Sequence, residues 1–144
     1  MKIKLIAVGK RMPNWIQDGV TTYSKRLQAD CHFQVIEVDS TKQQSEKMLA
    51  AIHKDDYVIA LDEHGQQYDS IELSRQFENL RQQGYDISLL IGGADGLTSE
   101  CKQRANKIWS LSKLTLPHGL VRILVVEQIY RALSILKSHP YHRQ

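Results

Sequence analysis

Three short segments place glycines and polar side chains at spacings that can do chemistry. The first is Leu89-Leu90-Ile91-Gly92-Gly93-Ala94-Asp95-Gly96-Leu97, an aliphatic run that empties into three glycines. Glycines directly after a parallel strand admit positive φ and let a ligand approach backbone N–H and C=O groups at the carboxyl edge of a sheet. The spacing is GGxxG rather than GxGxxG. It reads either as a ligand-binding turn or as a tight strand-to-helix turn that needs glycine for its own geometry. The second segment is Ser110-Leu111-Ser112-Lys113-Leu114-Thr115-Leu116-Pro117-His118. His118, at a helix start, is of a type to donate to a phosphate or ligand, or to fill a structural role. The third is the tail, Ser138-His139-Pro140-Tyr141-His142-Arg143-Gln144. Its aromatic, imidazole and guanidinium groups suit stacking on an unpaired base and contact with phosphate, and equally a frayed terminus.

The elements that must hold these segments alternate. Lys2 to Val8 reads as a buried strand, and Trp15, Ile16, Val20, Tyr23 and Leu27 form one helical face after Pro13. A strand over Phe33 to Val38, a helix over Ser45 to His53 and a strand over Tyr57 to Leu61 follow. A helix over Ile71 to Arg81, ended by Gly84, leads to the continuous apolar strand Ile87 to Ile91. Thr98 caps a helix from about Ser99 to Ile108. A short strand over Ser110 to Leu114 comes next, and Pro117 precedes a long helix from about Leu120 to Lys137. Alternating β and α units imply an α/β fold with a parallel sheet flanked by helices. The 144 residues, 42% hydrophobic, fit one domain over 1–144.

The last helix is apolar on more than one stripe, through Leu120, Ile123, Leu124, Val126, Leu133 and Leu136 among others. Such a helix is buried on two sides, either inside a monomer or against a second subunit, and a homodimer through it is the expectation.

Charge is distributed unevenly. Residues 1–30 carry six Lys/Arg against two acids, residues 31–101 five against thirteen, and residues 102–144 eight against the single acid Glu127. Basic ends around an acidic middle suit a chain that presents its terminal segments to phosphate. No stretch reaches the ~20 apolar residues of a membrane span, and the N-terminus lacks the apolar length and cleavage site of a secretory signal. The two cysteines, Cys31 and Cys101, lie far apart without metal-ligand spacing, which points to buried thiols, a cytoplasmic home and no metal.

Taken together, Ala7-Val8-Gly9-Lys10, Pro13-Asn14-Trp15, Leu90-Ile91-Gly92-Gly93, Thr115-Leu116-Pro117-His118, Tyr130-Arg131-Ala132 and His139-Pro140-Tyr141-His142 resemble, nearly end to end, the RlmH family of ribosomal pseudouridine N3-methyltransferases, minimal SPOUT enzymes. The sequence departs from that pattern at Ala94-Asp95 and in a shorter Ser40 to Lys47 segment. The resemblance implies a SPOUT-type fold with a C-terminal trefoil knot, a homodimer, and S-adenosylmethionine as methyl donor. It implies that Leu61, Gly92 and the run Leu111, Ser112, Lys113, Leu114, Thr115 and Leu116 surround that donor. The substrate it implies is a stem-loop pseudouridine of 23S ribosomal RNA, methylated in the assembled ribosome or large subunit. Arg131, Tyr141, His142 and Arg143 are the candidates for binding the RNA, and His118 and His142 the candidates by type for a general base. The Glu127 and Arg131 spacing of i, i+4 also fits a helix salt bridge. Two other readings are a SPOUT methyltransferase acting on transfer RNA, and a non-catalytic α/β module that binds a ligand at the Gly92 turn.

Overall fold

A computed structural model describes residues 1–143. Five parallel strands, β1 (Lys2–Val8), β2 (His32–Val38), β3 (Tyr57–Gln66), β4 (Ile87–Ile91) and β5 (Lys107–Trp109), form one sheet in the order β2-β1-β4-β3-β5. The helices are α1 (Asn14–Leu27), α2 (Gln44–Ala50), α3 (Ser70–Gln82), α4 (Ser99–Arg104) and α5 (His118–Leu136), with a 3-10 turn at Pro140–Arg143. The leftward crossovers carry α1 and α3, and the rightward ones α2 and α4. Right-handed connection therefore sends the two sets to opposite faces. α5 joins α1 and α3, while α2 meets α4.

Two apolar cores follow from this. Ile3, Leu5, Ala7, Leu89 and Ile91 point with Leu27, Phe77 and Ile129 into one. Ile6, Val8 and Leu90 point with Met48 and Cys101 into the other. The period-2 alternation of a strand serves both, which is why β4 reads as an aliphatic run with a single polar residue. Where that run carries Ser88, the hydroxyl donates to Asp56 Oδ2 at 2.7 Å, and Lys4 Nζ lies 3.0 Å from the same oxygen. α3 begins on a capping box, with Asp69 Oδ1 accepting from the Glu72 amide at 2.7 Å. Such a cap is worth about 1 kcal/mol.

The strand expected over Ser110 to Leu114 is not formed. β5 is the three residues Lys107–Trp109, and Ser110–Pro117 is a loop. Ser110 Oγ donates to Ser112 O at 2.8 Å, and the Leu114 amide donates to Ser112 Oγ at 3.0 Å, so local side-chain bonds occupy groups a ladder would need. The helix expected to reach Ile108 ends at Arg104, because Asn106 joins β3 through its amide to Val58 O at 2.7 Å and through Oδ1 from the Val58 amide at 2.8 Å. β3 runs on to Gln66 rather than ending at Leu61, with a register break beside Trp109. Trp15 leaves the expected core face of α1 and is 61% exposed, while Ile16 and Leu27 are buried. Both cysteines are free; Cys101 is buried and Cys31 half-buried, and burial first, then Asp30, raises the Cys31 thiol to about 11. No described helix is long and apolar enough to cross a membrane.

Candidate functional site

The carboxyl ends of β3 and β4, the Ser110–Pro117 loop and the first turn of α5 enclose an open cleft of about 410 Å³. That is within the ~300–1,000 Å³ typical of small-molecule sites. Leu61, Gly92, Leu111, Ser112, Leu114, Thr115 and Leu116 all line it, and His118 closes one side. Lys113 faces the adjoining groove with Glu63, His64 and Gln67.

The glycine turn has its own structural reasons. A Cβ on Gly92 would sit 2.4 Å from the Gly96 carbonyl carbon, and Gly96 has φ +75°. The Gly96 amide donates to Gly93 O at 3.0 Å, folding the loop onto itself before buried Leu97. The same packing that demands glycine sets Gly92, Gly93 and Gly96 along the cleft.

Side chains tie the cleft's loops together. Thr115 Oγ1 donates to Glu63 Oε2 at 2.8 Å, joining the Ser110–Pro117 loop to the extension of β3. Lys102 of α4 pairs with Asp62 Oδ2 at 2.9 Å, and the His64 amide donates to Asp62 Oδ1 at 2.8 Å. Burial works to raise the Asp62 carboxyl, but Lys102 and the His64 amide outweigh it and hold it below the ordinary value. Asp62, Glu63, Asp95 and Lys102 all line the cleft, and none was among the sequence candidates. Asp62 and Glu63 directly follow Leu61 and Asp95 follows Gly92-Gly93-Ala94, so adjacency to those candidates was their signal, whereas Lys102, on α4, had none.

α5 is fixed beneath the cleft by Arg122, whose side chain is 3% exposed. Its Nη1 donates to Glu37 Oε2 at 2.6 Å, and its Nη2 donates to Gly9 O at 2.7 Å and Val8 O at 3.1 Å. A cation inside an apolar helical run was the sequence's signal for this anchor. Close packing with α1 holds the same half of α5: a Cβ on Gly119 would meet Ile16 Cδ1 at 2.4 Å, and one on Gly19 would meet Ile123 Cδ1 at 2.8 Å.

The other four candidates gather at the far end of α5. Arg131 is one ~20 Å stretch along the axis from His118, at ~1.5 Å per residue. Tyr141 is 8% exposed, packed edge-on against Tyr130 with centroids 4.7 Å apart. The Arg131 guanidinium lies 4.8 Å from the Tyr141 ring centre, and Arg26 stands 5.2 Å from Tyr23, 5.7 Å from Tyr130 and 5.9 Å from Tyr141. Burial, then bonds to Tyr23 and Glu127, push the Tyr141 phenol up from its usual range. The expected Glu127–Arg131 salt bridge is present at 2.7 Å. His142 and Arg143 are exposed, and Gln144 lies outside the described residues. Within one chain, therefore, the cleft residues come together, the cationic and aromatic tail residues come together, and the two groups stand apart. Among the described residues no cluster of three or more His, Cys, Asp or Glu is placed to hold a metal ion.

Residues 1–142 match the protein family described as "Predicted SPOUT methyltransferase". Full-length relatives include proteins named Ribosomal RNA large subunit methyltransferase H from Methylobacillus flagellatus, 41% identical, and from Hahella chejuensis, 45% identical; each alignment covers 100% of both chains. Among solved structures, TrmJ from Z. mobilis matches with a TM-score of 0.55 at 12% identity, over 90% of this chain and 69% of its own. The SpoU methyltransferase AviRb from Streptomyces viridochromogenes, solved with AdoMet, matches with a TM-score of 0.51 at 14% identity, over 94% of this chain and 58% of its own. These structural matches speak for the fold.

Proposed function

The chain belongs to the SPOUT methyltransferase family, and from that premise we propose that it is a large-subunit ribosomal RNA methyltransferase that moves a methyl group from S-adenosylmethionine to N3 of a stem-loop pseudouridine of 23S RNA in the assembled ribosome. The observation that carries this reading is the cleft into which Leu61, the Gly92 turn and the 110–117 loop converge, in a chain whose full-length relatives are named Ribosomal RNA large subunit methyltransferase H.

The cleft's chemistry suits the donor. Its aliphatic wall of Leu61, Ile91, Leu97, Leu116 and Val121 fits a nucleoside, and the carboxylates of Asp62, Glu63 and Asp95 complement a molecule with a sulfonium and an ammonium. Lys102 is the cationic counterpart for its carboxylate. S-adenosylmethionine, when bound, supplies an electrophilic methyl carbon on sulfur. The protein's task is alignment: N3 must face that carbon as the new N–C bond forms and the C–S bond breaks. The N3 imide proton must also leave. His118, on the first turn of α5 at the cleft, is the side chain of suitable type to accept it, with His142 the second candidate. Cationic groups nearby stabilise the imide anion.

The ~20 Å between His118 and Arg131 prevents one chain from placing Arg131, Tyr141, His142 and Arg143 over its own cleft while α5 remains intact. A homodimer joined along α5 removes the difficulty, because an antiparallel copy brings its tail to the opposite cleft. The half-buried Leu120 and Leu124 are the apolar surface for this contact. Membership of the family supports a trefoil knot, in which the C-terminal segment threads through a loop and the knotted loops hold the donor. The enzyme acts in the cytoplasm. Transfer of labelled methyl from S-adenosylmethionine to ribosomes lacking the modification tests the whole reading, with free ribosomal RNA and transfer RNA alongside. Label at the pseudouridine N3 of ribosomes is the expected result; label on transfer RNA alone, or none anywhere, overturns it.

A further inference from the structure

Arg131 makes more than a helix-surface ion pair. Glu127 Oε1 accepts from Arg131 Nε at 3.0 Å, from Arg131 Nη2 at 2.7 Å and from the Tyr141 hydroxyl at 3.1 Å. Its other oxygen accepts from Gln128 Nε2 at 2.6 Å, and Gln128 Oε1 in turn accepts from Ser70 Oγ at 3.2 Å. The two charged side chains are only 13% and 18% exposed. An exposed i, i+4 pair needs one contact and keeps swapping rotamers, whereas this carboxylate is held by four donors and cannot turn. A guanidinium is planar and its donors form a rigid fork, so fixing two nitrogens fixes the direction of the third.

That third nitrogen is Nη1. Its neighbours are His142 Nδ1 and His142 O, both at 3.5 Å, the outer limit of a hydrogen bond. With the Tyr141 ring 4.8 Å from the guanidinium centre, the unfixed edge points toward the exposed tail, where His142 and Arg143 lie. We propose that Glu127 is a positioning residue: it clamps Nε and Nη2 of Arg131 so that Nη1 is presented as a preset donor to an RNA phosphate. This rests on the reading above that Arg131 faces RNA. Glutamine in place of Glu127 would keep the size but lose the charge and half of the acceptor capacity, leaving the guanidinium free to rotate.

The test is single-turnover methyl transfer to ribosomes lacking the mark, across a salt series, with Glu127→Gln, Glu127→Asp, Arg131→Ala and the double variant Glu127→Gln/Arg131→Ala. S-adenosylmethionine affinity and hydrogen exchange of the tail are measured in parallel. Arg131→Ala is expected to weaken ribosome binding and to flatten the log–log salt dependence by about one, the signature of one lost phosphate contact. Glu127→Gln should reproduce that flattening, with roughly tenfold lower kcat/KM, unchanged donor affinity and unchanged tail protection, and should add nothing to Arg131→Ala. Glu127→Asp, which retains the charge, should recover part of the slope. The inference is overturned if Glu127→Gln leaves the salt slope at the wild-type value while Arg131→Ala lowers it, or if the two effects add. It is also overturned if Glu127→Gln acts only by releasing the tail and Glu127→Asp, with the tail docked, behaves as wild type at every salt concentration. A wild-type rate and slope for Arg131→Ala would instead remove Arg131 from the RNA surface, a failure of the underlying reading rather than of the clamp.

Discussion

The two ends of α5 are built from different materials. At its start, the cleft depends on backbone shape, in a folded glycine turn and a loop held by its own serines, which carry its aliphatic wall and its carboxylates. At its finish, three tyrosines, two arginines and one glutamate hold one another through rings and charges, with the backbone as a mere support. The difference teaches where each end is vulnerable. The cleft is sensitive to added atoms and to backbone shape, and the cluster to removed atoms and removed charge.

The sharpest way to break that contrast is Gly92→Ala. A single methyl placed 2.4 Å from the Gly96 carbonyl carbon must push the turn open, and a loss of roughly 100-fold in S-adenosylmethionine affinity, about 3 kcal/mol, is expected by calorimetry, with the tyrosine cluster unaffected in near-ultraviolet dichroism. The reciprocal change is Tyr141→Ala, which should lower kcat/KM on ribosomes by roughly tenfold or more while donor affinity stays within about twofold. If it weakens donor binding as strongly, the two ends are not separate. A third perturbation should move both ends together, because it acts on the opposite edge of the sheet. Burial alone would raise the Asp56 carboxyl, but Ser88, Lys4 and the His53 amide hold it below its ordinary value. Its stabilisation is therefore fully present above about pH 4 and lost as pH falls through the lowered folded value. Asp56→Asn should remove that acid sensitivity and cost about 1–3 kcal/mol at neutral pH, read by denaturant melts at both values. The smallest effect is expected from Thr115→Val. It removes the bond to Glu63 and should loosen donor binding by roughly fivefold, about 1 kcal/mol, without altering stability.

The sequence was most legible where burial leaves one choice. β1 and β4 have the expected bounds because strands covered on both faces are mostly aliphatic, with Lys4 and Ser88 admitted where both meet Asp56. The cleft was legible through its glycines and through likeness to a known family, but its acids were not, since Asp62 and Glu63 lie past the expected strand end at Leu61 and only the longer β3 sets them beside the 110–117 loop. β5 was misplaced because three residues with Lys107 and Ile108 only half-buried give no periodicity, while the more strand-like Leu111 to Leu116 bonds to itself. Tyr141 was legible by type and not by environment: nothing in the tail's composition says that Tyr23, Tyr130 and two guanidinium groups enclose it. Trp15 had the spacing of a core residue and is exposed, since Ile16, one position on, already fills the space against Gly119.

The unbroken run of α5 from His118 to Leu136 sets a measure. A helix is a ruler graduated in ~1.5 Å steps, each turned by ~100°, so adding or deleting one residue between Arg122 and Glu127 would shift the tail cluster by little and rotate it by more than a quarter circle. Inserting a whole turn would restore the facing but miss by ~5 Å. In the dimer proposed above, the number of residues in this helix matters to the reaction as much as any side chain upon it.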